Sequence, residues 1–188
     1  MGLLLNHAAL APSPWIERWW HLLAPGATVL DVACGSGRHM RFAAGRGHPA
    51  TGVDRSQEAL DAAAAYGQVL LADIEQGPWP FQAQAFGGVI VTNYLWRPLM
   101  PAIVAAVAPG GVLLYETFAA GNETVGKPSR PDFLLKPGEL LAACAGLRVV
   151  AYEDGFLAAP DRFAQRIAAV RPAAQPPAAP PRHLLNAA

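Results

Sequence analysis

Charge is scarce in this chain: Asp, Glu, Lys and Arg make up 15% of its 188 residues, against roughly 25% in an average globular protein. The 14 basic and 14 acidic residues cancel to a formal net charge of zero. No electrostatic footprint for a nucleic-acid backbone or an anionic membrane is present, and a small neutral or modestly charged ligand is expected. Cysteine is scarcer still. Cys34 and Cys144 have no CxxC spacing and are too few for a disulfide scaffold or a zinc site, so no metal is expected. No apolar run approaches the ~20 residues of a membrane span, and Met1 to Leu10 lacks the positive start of a signal peptide. A cytoplasmic, soluble chain is expected. The 53% of apolar residues excludes disorder throughout and predicts one domain with one substantial core.

Ser13-Pro14 before Trp15, Ile16, Trp19, Trp20, Leu22 and Leu23 reads as a capped amphipathic helix stopped by Ala24-Pro25-Gly26. Its tryptophans are either core or the lining of an aromatic pocket, and the helical spacing favours core. Beyond it, strands are expected at Thr28 to Val32, Ala50 to Asp54, Val69 to Ala72, Gly88 to Thr92 and Val112 to Thr117. Helices are expected at Arg38 to Ala44, Gln57 to Tyr66, Pro98 to Val107 and Pro137 to Ala145. Strands separated by single helices need crossover connections, hence an α/β, Rossmann-like doubly wound parallel sheet. Leu147 to Tyr152 and Ala164 to Val170 have no helix between them and predict an antiparallel pair at one edge. The domain is expected over residues 1–170, with a helical segment at 1–27, and the Pro- and Ala-rich residues 171–188 as a flexible tail.

The chemistry concentrates in Val29 to Arg38, an apolar strand that ends in Asp31 and breaks into Ala33-Cys34-Gly35-Ser36-Gly37 before a helical pattern. Small residues there let backbone approach a ligand. Cys34 reads as a small turn residue rather than a reactive thiol. Asp54 ends the next strand, 17 residues past Gly37, where an acid accepts the hydroxyls of a ribose. Asp73 ends the third, followed by Ile74, and a carboxylate with a backbone amide can read an adenine edge. Asp31 suits an ammonium group. Each Asp alone has a dull alternative as a helix cap or turn residue, but three consecutive strands ending in Asp behind a glycine loop point to a binding site. A dinucleotide fingerprint would need glycine where Ala33 and Arg38 stand, and a pyrophosphate is repelled by Asp31. Ribose, adenine and an amino-acid ammonium together describe S-adenosylmethionine.

On Val29 to Gly37, Gly52-Val53-Asp54, Leu71-Ala72-Asp73-Ile74 and Ala108-Pro109-Gly110-Gly111-Val112-Leu113, the chain resembles the class I S-adenosylmethionine-dependent methyltransferases. The motifs cover residues 28–118, and with the terminal pair the resemblance reaches about residue 170. Ala33 stands where the family's loop has its first glycine. The resemblance implies a seven-stranded sheet whose last strand is inserted antiparallel, and a cofactor set of Asp31, Ala33, Cys34, Gly35, Gly37, Asp54, Arg55, Asp73, Ile74, Thr92 and Asn93. Asp31 to His39, Asn93-Tyr94-Leu95 and Tyr115 to Phe118 followed by Gly121-Asn122-Glu123 resemble small bacterial proteins related to tellurite-resistance methyltransferases, which implies a small substrate.

Methyl transfer is an in-line displacement that requires alignment and exclusion of water rather than an obligatory base. Tyr94 and Glu116, after the fourth and fifth strands, are the expected orienting or proton-accepting groups. The long segment between Phe118 and Lys136 is expected to shape the acceptor site. Arg97, Lys127 and Arg130 are either attractants for an anionic substrate or solvated surface cations. His39 is expected to be neutral and packed. The leading function is methyl transfer to a small molecule. The alternatives are a catalytically silent cofactor-binding regulator and, more weakly, a nicotinamide-dependent oxidoreductase. Oligomeric state is not legible.

Overall fold

In the computed structural model, residues 11–175 and 178–186 are described, so the expectation for Met1 to Leu10 lies outside them. Ser13 caps the first helix as its residue type requires, its Oγ accepting the Trp15 amide at 3.1 Å. Helix α1 (Pro14–Trp19) continues into a 3-10 turn at Trp20–Leu22. Trp15, Trp19 and Trp20 are buried, and the Trp15 indole donates to the Ile167 carbonyl at 3.1 Å. These tryptophans are core.

Strands β1 (Val29–Val32), β2 (Ala50–Asp54), β3 (Gln68–Leu71), β4 (Phe86–Thr92), β5 (Val107–Phe118), β6 (Arg148–Leu157) and β7 (Arg162–Val170) form one sheet in the order β3-β2-β1-β4-β5-β7-β6. The first five are parallel, and β7 lies antiparallel between β5 and β6. Helices α2 (Arg38–Ala44), α3 (Gln57–Ala63), α4 (Met100–Ala106) and α5 (Glu139–Ala143) cover the two faces.

Several boundaries depart from expectation for identifiable reasons. Helix α4 begins after a 3-10 turn at Arg97–Leu99 and ends before Val107, which instead pairs with Phe86 and opens β5. The last two strands run to Leu157 and from Arg162, further than their apolar cores suggest. Glu153 reads as a turn residue in sequence, yet it accepts from Arg166 Nε across the pair at 2.7 Å. Asp154 likewise stays in the strand, accepting from the Gly138 amide at 3.2 Å. Helix α5 is shorter than expected because Gly138 adopts a left-handed φ of 73°, while the Glu139 carboxylate folds back onto the Lys136 amide at 2.8 Å as in a capping box. Pairing runs to Arg171, whose backbone exchanges hydrogen bonds with Gly110 and Gly111. Its guanidinium donates to the carbonyls of Val104 and Val107, closing the end of α4.

Alternation along the strands sorts the core onto two faces. Leu30, Val32, Val53, Val89, Val91, Leu113, Tyr115 and Ile167 pack under α4 and α5. Val29, Ile90, Val112, Leu114 and Ala168 pack under α1, α2 and α3. The same period turns Asp31, Asp54, Thr92, Glu116 and Arg162 toward the second face, where α2 begins.

Candidate active site

The loop between β1 and α2 holds three residues in the left-handed region: Ala33 at φ 53°, Gly35 at 53° and Gly37 at 79°. Ala33 bears a steric cost of about 1 kcal/mol that glycine would avoid. The two glycines serve different ends. A Cβ on Gly37 would lie 2.9 Å from that of Ala63, so its absence lets the loop close on α3. A Cβ on Gly35 would meet nothing within 4 Å, and there the backbone angle alone selects glycine. Cys34 is buried beneath the loop in space left by Gly52. Burial, with the Asp31 and Asp54 carboxylates nearby, holds its thiol far above the usual range, so it is an inert small residue.

Asp54 fastens the loop. Its Oδ2 accepts the Gly35 amide and its Oδ1 the Ser56 amide, each at 2.9 Å. Beside it opens a pocket walled by Ala33, Asp54, Arg55, the segment Ala72 to Glu75, and Tyr94. Asp73 Oδ1 accepts the amides of Glu75 and Gln76 at 3.0 and 3.1 Å, so one oxygen makes a turn and the other is left for a ligand. Tyr94 contributes to this wall. Burial first, then the Glu75 and Asp73 carboxylates, raise its hydroxyl well above the usual phenol range. It remains protonated and is unsuited to accept a proton.

Asp31 is almost fully buried, and among the described residues its Oδ2 has no hydrogen-bond donor. Burial pushes its carboxyl up to about 7, with Asp54 adding to the rise and Arg38 opposing it. His39 Nδ1 stands 3.9 Å from that oxygen. Burial, then the Arg38 charge, push His39 down to about 3, so it is neutral and packed.

On the far side of the loop, Arg38 donates to Thr92 Oγ1 at 3.4 Å. Arg162, at the start of β7, donates to Asn93 Oδ1 at 3.5 Å and reaches Glu116 Oε2 at 3.6 Å. Glu116 is 2% exposed, and its Oε2 and the Arg162 Nε are buried without a hydrogen-bond partner among the described residues. The segment after β5 is pinned over this end by Asn122. That side chain donates to the Pro128 carbonyl at 2.9 Å and accepts the Phe163 amide at 3.2 Å.

Of the expected residues, Asp31, Cys34, Gly35 and Gly37 lie at the end of β1 and in the loop after it without lining that pocket, and the others fall into two groups. Ala33, Asp54, Arg55, Asp73, Ile74 and Tyr94 share the pocket, while Thr92, Asn93 and Glu116 meet Arg38 and Arg162. Glu75, Arg38 and Arg162 also stand at these sites, and no local motif marks them in the sequence. Arg97 is engaged elsewhere, gripping Glu139 through Nε at 2.6 Å and the carbonyls of Asp132 and Leu134. Arg130 pairs with Asp132 at the surface, and Lys127 is exposed.

The chemistry of these groups fits S-adenosylmethionine: the Asp54 and Asp73 carboxylates with the Ile74 amide can serve a ribose and an adenine, and Asp31 Oδ2, unpartnered among the described residues, can accept from an ammonium.

A family model described as a methyltransferase domain matches residues 29–111. The chain is 37% identical over 107 residues to a malonyl-[acyl-carrier protein] O-methyltransferase of Serratia marcescens, covering 52% of this chain and 41% of that protein. It is 30% identical over 167 residues to a tRNA U34 carboxymethyltransferase of Klebsiella pneumoniae, covering 76% and 49%. It thus spans about half the length, or less, of these curated relatives. Among solved structures, TehB from Haemophilus influenzae superposes with a TM-score of 0.72 at 18% identity, over 88% of this chain and 64% of TehB.

Proposed function

We propose that the chain is a class I S-adenosylmethionine-dependent methyltransferase, a reading supported by its match to a methyltransferase domain and to named methyltransferases, and that it transfers the methyl group of that cofactor to a small acceptor bearing an acidic group. The observation that carries the acceptor class is the buried cluster of Arg38, Glu116 and Arg162. Arg38 and Arg162 lie near one buried carboxylate, Glu116, at the carboxyl ends of β4 and β5 and the amino end of the antiparallel β7. Asp31 and Glu116 both offset Arg38, so it is the Arg162 Nε, without a hydrogen-bond partner among the described residues, that suits an anionic group on the acceptor.

S-adenosylmethionine, when bound, supplies an electrophilic methyl on a sulfonium. In this reading Asp54 accepts the ribose hydroxyls while keeping the loop shaped, Asp73 and the Ile74 amide read the adenine, and Asp31 faces the ammonium. Arg162, held by Asn93 and Glu116, orients the acceptor, and Glu116 accepts its proton. Tyr94 belongs with the cofactor wall.

The test is S-adenosylhomocysteine formation against thiols, oxyanions and small carboxylic acids, with carrier-protein thioesters and transfer RNA as macromolecular comparisons. Turnover of a small acid supports the proposal, and turnover confined to a macromolecule overturns its acceptor class. Silence across every acceptor with cofactor bound would favour the regulatory reading.

A further inference from the structure

One side chain ties the cofactor loop to the start of α1. His39, on the first turn of α2 and buried, accepts the Ser13 amide on Nε2 at 3.2 Å. In a neutral imidazole that acceptor role leaves the single ring proton on Nδ1. Nδ1 stands 3.9 Å from Asp31 Oδ2, the buried carboxylate oxygen that has no donor among the described residues. The charged and titratable groups around Asp31 are Arg38 and His39 from α2, Cys34 from the loop and Asp54 from β2, with Glu116 near Arg38. Arg38 hydrogen-bonds to Thr92, which leaves His39 as the ring donor aimed at the orphaned oxygen. A buried acceptor without a donor is costly, and 3.9 Å is one small side-chain adjustment from a hydrogen bond.

We infer that His39 is a positioning residue for Asp31: anchored by Ser13, its Nδ1–H orients the carboxylate toward the ammonium of the cofactor, so that docking of the segment entering α1 and grip on the amino-acid end of the ligand reinforce each other. This rests on the cofactor reading above. Coupling of this kind is reciprocal, so a ligand that engages Asp31 also holds Ser13 more firmly.

The test titrates two ligands into the full chain: S-adenosylhomocysteine, and 5′-methylthioadenosine, which keeps the adenine and ribose but has no ammonium. His39→Gln retains an acceptor for the Ser13 amide and loses the donor toward Asp31, whereas His39→Asn retains a donor near the Nδ1 position. His39→Gln is expected to bind S-adenosylhomocysteine about tenfold more weakly, with methylthioadenosine unchanged and His39→Asn closer to the parent, as loss of one hydrogen bond to a charged group implies. Equal weakening of both ligands, or of neither, overturns the inference. In the unaltered protein, S-adenosylhomocysteine is expected to slow hydrogen exchange at the Ser13 amide and methylthioadenosine is not. Identical exchange with both ligands overturns it even where the variants fail to fold. Failure of the unaltered protein to bind S-adenosylhomocysteine would instead remove the cofactor reading itself.

Discussion

Asp54 accepts the Gly35 amide on Oδ2 at 2.9 Å, so the carboxylate proposed to grip the ribose is also the clasp of the loop. Binding and loop shape are therefore expected to respond together to changes at this position.

Replacing Asp54 by Ala removes the acceptor for Gly35, that for Ser56 and the ribose contacts together. S-adenosylhomocysteine affinity is expected to fall by at least 1.5–3 kcal/mol, the rough worth of bonds to a charged acceptor. Asp54→Asn keeps one acceptor oxygen and is expected to fall between that variant and the parent. Calorimetric titration measures both, and unchanged affinity in a folded Asp54→Ala protein refutes the assignment.

At the acceptor end, Glu116→Gln preserves shape and removes charge. It is expected to lower kcat for the acidic acceptor by roughly ten- to a hundredfold, within the range of general-base contributions, with cofactor affinity unchanged. Arg162→Gln is expected to act mainly on KM for that acceptor. Steady-state kinetics separate the two effects, and a matching loss of cofactor binding would move these residues to the cofactor side.

Asp31 carries a stability cost for its binding role. Its carboxyl, normally titrating near 3.8, is pushed up to about 7 in the fold, so ionising it opposes folding. That cost is absent below the unfolded value, grows as pH rises between the two values and is complete above the folded one. Asp31→Asn is expected to be more stable near about pH 8, by an amount on the order of 1–4 kcal/mol, and so to melt at a higher temperature, while binding S-adenosylhomocysteine more weakly. A lower melting temperature at that pH would contradict the desolvation argument.

Arg97 illustrates the opposite case. The side chain that in sequence could serve as an anion attractant instead holds Glu139 and two carbonyls, and its guanidinium lowers the Glu139 carboxyl below the usual range. A depressed acid contributes stability above its unfolded value, about 4.5, and loses it as pH falls through the folded one. Arg97→Ala is expected to lower the melting temperature at neutral pH, with the difference narrowing in acid and methylthioadenosine affinity unaltered. A difference that widens in acid would contradict this role.

Ala33→Gly tests the loop backbone. Relief of the left-handed strain, partly offset by the freedom glycine gains when unfolded, is expected to leave stability unchanged or raise it by up to about 1 kcal/mol. Ala33→Val is expected to be clearly destabilising in the same melting experiment.

Much of this architecture is legible in local patterns. Strand-ending acids, the small-residue loop and the helix-separated apolar runs are short-range signals, and the doubly wound sheet and the pocket beside Asp54 follow from them. The acceptor cluster is not local: Arg162 lies more than forty residues beyond Glu116 and meets it because β7 is inserted beside β5. Glu153 and Asp154 look like turn residues until Arg166 and the Gly138 amide supply their partners. Tyr94 follows the fourth strand as expected, yet its ring faces the cofactor pocket because its carbonyl is held by the Tyr115 hydroxyl at 2.8 Å. Gly37 looked like a ligand-approach glycine, and its constraint is Ala63.

The account turns on which cofactor occupies the pocket beside Asp54. Calorimetric titration of the full chain with S-adenosylhomocysteine and, separately, with NADH tests it most directly. Saturable binding of S-adenosylhomocysteine at one site, weakened in Asp54→Asn, is the expected result. Tight binding of NADH with no response to S-adenosylhomocysteine would contradict the account.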